Sequence, residues 1–545
     1  MKKYTWKIGA LFMLAILAMS TISNDNNRYF QISKNIEIFT NLYKEINTHY
    51  VDDLDPARLM RTGLDAMLES LDPYTNYISE TEIERFRYIT DGKYNGIGAQ
   101  IRQIGDAVTI TESYADCPAQ KAGLRPGDIL LEIDGQSAKG KSADDVSNIL
   151  KGFPGTEVML TINRPGTAAP LKMTLVRDEV LVPNVPYQGM VSNDIGYFAL
   201  TTFTREAGKN VGNALKSLKE ENPNLKGIIF DLRGNGGGLL TEAVNVSNVF
   251  IPKGELVVTT KGKVVDWDRS FKTLNQPIDA EIPLIVLIDK GSASASEIVS
   301  GVLQDLDRGV LLGQRSYGKG LVQNTKDVGY NSKVKMTTAK YYIPSGRCIQ
   351  GVEYEDGEPK DIPDSERQAF KTRNGRAVLD GGGVAPDVKL KKGENEDVVE
   401  ELEDKYVIFD YVTQFVAGKD QIGDPKTFNF SEFDGFLNFV DQNKFEYETK
   451  TEKALNALKM SAEKQGLTDE MNAQLTTLEA VVSDSKKQDL ERNKSTIINL
   501  IEKDIASRFH FQKGKIEVGL KNDPEIKEAI RILGDPAEYA KLLGN

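Results

Sequence analysis

The stretch from Lys290 to Gln323 constrains the fold more than any other part of the 545-residue chain. Three serines at alternate positions, Ser292, Ser294 and Ser296, follow an apolar run of sequence PLIVLI. This pattern predicts a buried strand that ends in a turn of small residues and starts a helix. Such a turn places a serine hydroxyl at a helix N-terminus, where backbone N–H groups and the positive end of the helix dipole are concentrated.

Lys319, a lysine flanked by glycines, is the candidate base for a serine nucleophile. The chain has two histidines, His49 and His510, and each lies in a charged, helix-like stretch where we expect a surface or packing role. A Ser-His-Asp triad needs a histidine, and lysine is the known alternative base. The amine must be neutral to act, and lowering its pKa from about 10.4 to near 7 costs about 4.6 kcal/mol. Burial against apolar groups can supply that shift.

Two other interpretations of this stretch stay open. Small polar residues also cap helices and fill tight turns, so the serines have an ordinary structural explanation. The segment from Gly313 to Lys319 matches the first seven positions of a phosphate-binding loop, but Gly320 stands where a Ser or Thr must hold the metal. The residues alone therefore leave Ser292 and Ser296 as candidates beside Ser294.

The N-terminus predicts export. Three lysines precede a short apolar run over residues 8–19, followed by small and polar residues. The run is shorter than the roughly 20 residues of a usual membrane span, which favours cleavage. Residues 1–20 are thus predicted to be a signal peptide, or else an N-terminal anchor that associates the protein with a membrane. We expect an exported, periplasmic protein.

Composition excludes several function classes. The net charge is −12, without basic stripes, which argues against nucleic acid as a partner. Cys117 and Cys348 are far apart and share no metal-like spacing, so two separate thiols are predicted. No metal and no cofactor is expected.

The two ends of the chain are predicted to be helical. Residues 25–90 place apolar residues at three- and four-residue intervals. Residues 395–545 are first acidic, then rich in aromatic residues, and then helical to the end. Asp523 and Pro524 mark a helix start in this region, with Asp as the N-cap. We find no chemical motif in it.

The middle of the chain contains two kinds of pattern. Residues 91–178 read as short strands and turns, with one helix that Ser142 and Asp145 begin as a capping box. Over residues 179–390 strands alternate with helices, which indicates an α/β layered core.

Residues 91–178 resemble a PDZ domain in the permuted form found in bacterial proteases. The sequence GIGA, formed by Gly96, Ile97, Gly98 and Ala99, matches the loop that binds a C-terminal carboxylate in that family. Successive amides of such a loop form an anion nest, and the neighbouring strand edge accepts a peptide as an added strand. We therefore expect protein partners with apolar C-terminal tails.

The PDZ-like domain is inserted between the helical N-terminal region and the core, which suggests that it gates the core. Arg125 is a candidate for this coupling, and a surface-charge role is equally open for it. A scaffold that binds tails without cutting them is an alternative function. The joint presence of Ser294, Lys319 and Gln323 argues against that alternative.

Several motifs resemble the C-terminal processing peptidases, also called tail-specific proteases. These motifs are DLRGNGGG and SASASE…GKGLVQ, accompanied by LDPY, YYIPSGR and GVAPD, over roughly residues 40–390. The resemblance implies a crotonase-like ββα-spiral core. It also implies an exported serine endopeptidase that recognises protein tails and cleaves through an acyl-enzyme.

The resemblance assigns roles to five residues. Ser294 is expected to be the nucleophile, Lys319 the base, and Gln323 the residue that orients the lysine. The backbone N–H groups of Gly238 and Ala295 are expected to form the oxyanion hole, where one donor contributes roughly 3 kcal/mol.

Three charged residues near these positions are expected to have structural roles. Asp231 and Arg233 are predicted to hold the glycine-rich turn in place. Glu297 lies in the first turn of a predicted helix, where an acidic residue is ordinary, and we expect no catalytic role for it.

Overall fold

The computed structural model describes residues 27–82, 90–355, 358–361, 363–390, 397–419, 421–486 and 488–545. They form two compact units: the first contains the described residues up to Tyr77 together with Glu358, and the second contains the other described residues. The predicted signal segment, residues 1–20, lies outside the described residues. Among the helices that are described, none is both long enough and apolar enough to cross a bilayer.

The helices α1 to α16 have the following bounds: 27–49, Pro56–Glu69, Pro118–Lys121, Ala143–Leu150, Ala207–Glu221, Leu240–Phe250, Ala295–Asp305, Asp397–Asp404, Val407–Phe415, Phe433–Gln442, Lys450–Gln465, Thr468–Lys486, Asp489–Arg492, Lys494–Lys521, Pro524–Leu533 and Pro536–Leu542.

The strands β1 to β23 have the following bounds: Asn76–Ile78, Lys93–Gly96, Ala99–Ile104, Ala107–Ser113, Ile129–Ile133, Gln136–Ser137, Glu157–Asn163, Leu171–Val176, Asp178–Leu181, Tyr187–Met190, Ile195–Ala199, Gly227–Asp231, Leu256–Gly262, Arg269–Lys272, Leu284–Ile288, Val310–Gly313, Leu321–Gly329, Ser332–Tyr342, Val352–Glu355, Glu358–Asp361, Ala369–Lys371, Ala377–Leu379 and Val388–Lys389.

A small β domain follows the N-terminal helices. Its main sheet has the order β3-β4-β5-β7-β8, with β6 beside β5, and β2 pairs with β9. Helix α4 begins at the predicted capping box, in which the Ser142 hydroxyl accepts from the Asp145 N–H at 3.1 Å. Val146 and Leu150 of this helix pack with Ile110 and Ile162 of the sheet, which forms a separate core.

The central sheet has the order β10-β11-β12-β15-β16-β23. All pairs are parallel except β10 with β11. Its strands are apolar without alternation, as in GIIFD and LIVLI, because both faces are buried. The predicted α/β layered core is confirmed.

Different parts of the chain cover the two faces of this sheet. Helices α5, α6 and α7 pack on one face, against residues such as Phe230 and Val286. The last two helices, α15 and α16, pack on the other face, where Ile532 contacts the side of the sheet formed by Ile229 and Leu287. The end of the chain therefore completes the core of the middle of the chain.

The helical C-terminal region also has a core of its own. Helices α8 to α10 and α14 enclose an aromatic cluster that includes Tyr411, Phe430 and Phe436. Helix α14 is kinked at Phe511, which has φ 55° and ψ −154°. After this helix, Asp523 caps α15 as predicted, through bonds from Glu525 N–H at 2.8 Å and Ile526 N–H at 3.3 Å.

Truncation of Ile532 tests whether the C-terminal helices are part of the core. Its side chain is fully buried, so we expect Ile532→Ala to reduce the free energy of unfolding by about 2–5 kcal/mol. The measurement is urea unfolding followed by circular dichroism. Leu458→Ala, on the exposed side of α11, is the control and should change this energy by less than about 0.5 kcal/mol. Equal effects of the two variants would contradict the packing described above.

Candidate active site

Loops at the carboxyl ends of three adjacent parallel strands converge on one region. They follow β12, β15 and β16, and they carry the glycine-rich turn, the three serines and Lys319, respectively. Because parallel strands end at the same edge of a sheet, residues far apart in sequence meet there.

Ser294 occupies a strained position immediately before α7. Its backbone has φ 56° and ψ −111°, a conformation that residues other than glycine rarely adopt. Such strain costs roughly 1–3 kcal/mol and persists only where the surroundings enforce it. A sharp strand-to-helix turn of this kind presents a serine hydroxyl at the top of the sheet in other hydrolases.

The three serines differ in burial and in hydrogen bonding. Ser292 and Ser296 are fully buried, and their hydroxyls donate to the carbonyl oxygens of Leu232 and Asn235, both at 2.8 Å. Ser294 is partly exposed. Two of the serines thus bond the turn to the neighbouring loop, and only the third is accessible to solvent.

The carboxylate of Glu297 joins the serine turn to the lysine loop. It accepts from the backbone N–H of Ser294 at 2.8 Å, of Gly318 at 2.7 Å and of Lys319 at 2.8 Å. The hydroxyl of Ser316 is a fourth donor, at 2.5 Å. Burial raises the pKa of Glu297, and the four donors oppose that shift because they favour the ionised carboxylate.

Sequence reasoning missed this function of Glu297. An acidic residue in the first turn of a helix is common, and nothing in the sequence indicates that its carboxylate is fully buried or that it reaches a loop 21 residues further on. The expectation that Glu297 is an ordinary helix-start residue is therefore incomplete.

The hydroxyl of Tyr341 provides a second connection between the same two loops. It lies 3.1 Å from the carbonyl oxygen of Ser294 and also contacts the carbonyl oxygen of Lys319. The ring is buried on β18. Glu297 therefore connects the two loops through their N–H groups, and Tyr341 connects them through their carbonyl oxygens.

The lysine loop is not a phosphate-binding loop. Such a loop leads from a strand into a helix, whereas Lys319 is followed by strand β17. Lys319 itself is half-buried. Gly320 lies against the chain at Gln350, and a Cβ added to it would lie 2.5 Å from the Gln350 nitrogen, so the close approach requires glycine.

The glycine-rich turn lies directly beside the serine turn. A Cβ on Gly237 would lie 2.8 Å from the Cβ of Ser294, so only glycine permits this approach. The Gly237 N–H donates to the Asn235 side chain at 2.9 Å. Among the described residues, we find no acceptor for the N–H groups of Gly238 and Ala295. These are the two groups that the family resemblance assigns to an oxyanion hole.

Gln323 lies on β17, next to a register shift between Val322 and Gln323. Its side-chain nitrogen donates to the Thr337 hydroxyl on β18 at 3.2 Å. Its assigned part in orienting Lys319 stays a prediction.

Three of the four GIGA residues lie beside a narrow groove in the PDZ-like domain. Gly96, Ile97 and Ala99 line a cavity of 30 Å³ between β3 and α4, together with Ile101 and Leu150. The lining is mainly apolar.

The other two residues singled out in the PDZ-like domain, Gly98 and Arg125, do not line this cavity. Gly98 packs against Cys117. A Cβ added to Gly98 would lie 2.2 Å from the Cβ of Cys117. Arg125 lines a cavity of 790 Å³ that the domain shares with Phe509 and Phe511 of α14. Arg125 therefore faces the C-terminal helices, a location that its proposed coupling role did not anticipate.

The remaining expectations concern histidines, cysteines and metals. His49 is exposed and lies 3.4 Å from Glu45, while His510 contacts the Gly423 carbonyl oxygen at 3.0 Å, so both have the surface or packing roles expected. Both cysteines are free thiols, as predicted. In the part of the chain that the structure describes, no group of three His, Cys, Asp or Glu residues could hold a metal ion.

Comparisons with known proteins identify three families along the chain. Residues 109–164 match the PDZ domain, residues 194–357 match peptidase family S41, and residues 398–533 match the family described as "Probable PDZ-protease, C-terminal helical domain".

Two curated relatives agree with these matches. The carboxy-terminal-processing protease of Bartonella bacilliformis is 37% identical over 357 residues, which cover 64% of this chain and 81% of that protein. A probable CtpA-like serine protease of Staphylococcus aureus is 32% identical over 351 residues, covering 63% and 69%. Among solved structures, the photosystem II D1 C-terminal processing protease is 27% identical, covers 65% of this chain and 92% of its own, and has a TM-score of 0.36. The chain is a serine-type peptidase with a PDZ domain, and it belongs to peptidase family S41, among the carboxy-terminal-processing proteases.

Proposed function

We propose that this protein is an exported endopeptidase that captures the apolar C-terminal tail of a protein substrate and cleaves it with a Ser-Lys dyad. The observation that carries the proposal is the turn at Ser294. Its serine is strained, partly exposed and connected through one buried carboxylate to the loop of Lys319. The core is proposed to be a crotonase-like ββα spiral. Export is supported by the charged and then apolar composition of residues 1–20.

In the proposed acylation step, the neutral amine of Lys319 takes the proton from the Ser294 hydroxyl. The oxygen attacks the scissile carbonyl carbon, and the negative charge forms on the carbonyl oxygen. The N–H groups of Gly238 and Ala295 donate to that oxyanion. Gln323 helps to hold the lysine in place.

The intermediate then collapses. The C–N bond breaks, the leaving amine takes the proton from Lys319, and an ester remains on Ser294. Water attacks the ester with the lysine as base, and the serine is regenerated. The residues supply every proton transfer in this scheme.

Binding of the tail is assigned to the groove beside GIGA. The tail would add as a strand along β3, with its carboxylate at the backbone N–H groups of Gly96 to Ala99 and its last apolar side chain between Ile101 and Leu150. Cleavage would follow upstream of the bound tail.

Substitution of the dyad tests the catalytic assignment. Ser294→Ala and Lys319→Ala are each expected to lower kcat by roughly 10⁴-fold or more, because a nucleophile or its base is lost. Lys319→Arg should be as inactive, since a guanidinium does not give up its proton. The assay is cleavage of a protein that carries an apolar C-terminal tail.

Ser292→Ala and Ser296→Ala are the matched controls. Ser296→Ala removes one buried hydrogen bond, and Ser292→Ala removes the bond to Leu232 and the one accepted from the Asp289 N–H. At about 1 kcal/mol for each bond, both variants should keep most of the activity. Activity that survives in Ser294→Ala, or that disappears in folded Ser292→Ala, would refute the assignment.

The connection made by Glu297 predicts a second loss of activity. Glu297→Gln keeps the size of the side chain but sets an NH₂ group against N–H donors, so the two loops should separate. A displacement of about 1 Å at the reacting groups can cost roughly 100-fold in rate, and we expect kcat to fall by that order while KM is little changed. Steady-state kinetics measure both.

Glu502→Gln is the control for Glu297→Gln. Glu502 is also buried and accepts a backbone N–H, from Phe430 at 2.7 Å, in the C-terminal region. It should leave kcat unchanged. If Glu297→Gln is fully active, or if the control loses as much activity, the carboxylate does not hold the site.

Binding of a tail peptide tests the groove. Ile101→Asp should weaken the binding of a fluorescent peptide with an apolar C-terminus by about 10-fold or more, because it removes an apolar contact and repels the carboxylate. Fluorescence anisotropy measures the affinity. Met159→Asp, at an exposed position of the same domain, should have no effect. Unchanged binding in Ile101→Asp would place the peptide elsewhere.

A further inference from the structure

Arg233 is surrounded by three carboxylates, and two of them come from the far end of the chain. Its Nε and Nη2 contact Asp231 at 3.0 and 2.6 Å. Its Nη1 contacts Asp523 at 2.7 Å and Glu525 at 2.6 Å. Helix α15 thus reaches, across 290 residues of sequence, the loop that carries the glycine-rich turn.

The cluster is well shielded from water. The side chains of Arg233, Asp523 and Glu525 are 22%, 15% and 14% exposed. Burial raises the pKa of Glu525, and the charge of Arg233 opposes that shift. Ion pairs in such surroundings are weakly screened by salt and depend strongly on geometry, so loss of one partner leaves the other charge poorly compensated.

The two carboxylates are fixed in position relative to the central sheet. One oxygen of Asp523 caps α15, which leaves the other for Arg233. Ile526, Ala529 and Ile532 of the same helix are buried against the sheet. A helix that is capped and packed in this way holds its N-cap residue Asp523 and its first-turn residue Glu525 in place beside the loop that follows β12.

A chain of hydrogen bonds connects Arg233 with the serine turn. The next residue, Gly234, donates its N–H to Asp289 at 2.9 Å. The carbonyl oxygen of Asn235 then accepts from the Ala293 N–H at 3.0 Å and from the Ser296 hydroxyl at 2.8 Å. The loop that begins at Arg233 is therefore bonded to both sides of the turn that contains the candidate nucleophile.

We infer that Asp523 and Glu525 are positioning residues of the peptidase site. They hold Arg233, and through it they fix the loop that presents the Gly238 N–H to the oxyanion. This inference rests on the oxyanion role proposed for Gly238. The helical C-terminal region then contributes to the geometry of the catalytic site. Its two carboxylates act through Arg233 and do not touch the substrate.

The double variant Asp523→Asn with Glu525→Gln tests this inference in the full-length protein. Asparagine keeps the helix cap, and both changes keep side-chain size, so mainly the charges facing Arg233 are lost. We expect kcat to fall by about 100-fold with KM within about twofold of wild type. Glu525→Gln alone, which retains the Asp523 contact, should lose less and serves if the double variant unfolds.

The binding of one inhibitor and one tail peptide separates a positioning role from a general loss of structure. A peptide aldehyde forms a tetrahedral adduct whose oxygen occupies the oxyanion position, so its affinity should fall in parallel with kcat. The affinity of a tail peptide for the PDZ domain should not change. The thermal unfolding midpoint should fall by a few degrees, because Arg233 loses two of its three charged partners, while the protein stays folded at the assay temperature.

Two carboxylates elsewhere on the same helices provide matched controls. Glu528 lies on α15 and pairs with Arg531 at 2.8 Å, and Asp535 caps α16. Glu528→Gln and Asp535→Asn should keep wild-type kcat and aldehyde affinity. Full activity in the double variant, a change in KM alone, or an equal loss in the controls would overturn the inference.

Ser294→Ala, measured alongside, distinguishes this inference from the proposed function. If Ser294→Ala retains activity, the proposed function fails, and the inference fails with it. If Ser294→Ala is inactive while the double variant is fully active, only the inference about Asp523 and Glu525 is overturned.

Discussion

The arrangement of the site depends on one buried carboxylate. Glu297 accepts backbone N–H groups from both the Ser294 turn and the Lys319 loop. Hydrogen bonds to an ionised group are stronger than neutral ones, and a buried carboxylate without its donors would be costly. These buried, charge-assisted hydrogen bonds therefore hold the two loops together. The same bonds help to offset the backbone strain at Ser294.

The central sheet explains how distant segments reach this carboxylate. Its parallel strands end at one edge, and both of its faces are covered, by α5 to α7 on one side and by α15 and α16 on the other. The C-terminal helices thus contribute to the core and also place two acids beside Arg233. Both the stability of the protein and the geometry of the site depend on how these helices pack. Variants that disturb the packing of α15 or α16 should therefore affect both properties, whereas variants that change only the charges beside Arg233 should affect mainly the site.

Local patterns in the sequence predicted a large part of this structure. The capping box at Ser142 and the helix start at Asp523 are confirmed, because such features depend on neighbouring residues. The long-range contacts of Glu297 and Arg233 could not be predicted, since an acid at a helix start and an Arg after a strand are compatible with many environments. Sequence alone also left three serines open, whereas burial separates Ser294 from the other two.

The most direct test of this account is to identify the serine that becomes acylated or phosphonylated. The active protein would be treated with a peptide phosphonate that carries an apolar tail, digested, and mapped by mass spectrometry. The account predicts a single adduct on Ser294, formed at a rate that falls sharply in Lys319→Ala and in Glu297→Gln. An adduct on Ser292 or Ser296, or labelling of Ser294 that is independent of Lys319, would contradict it.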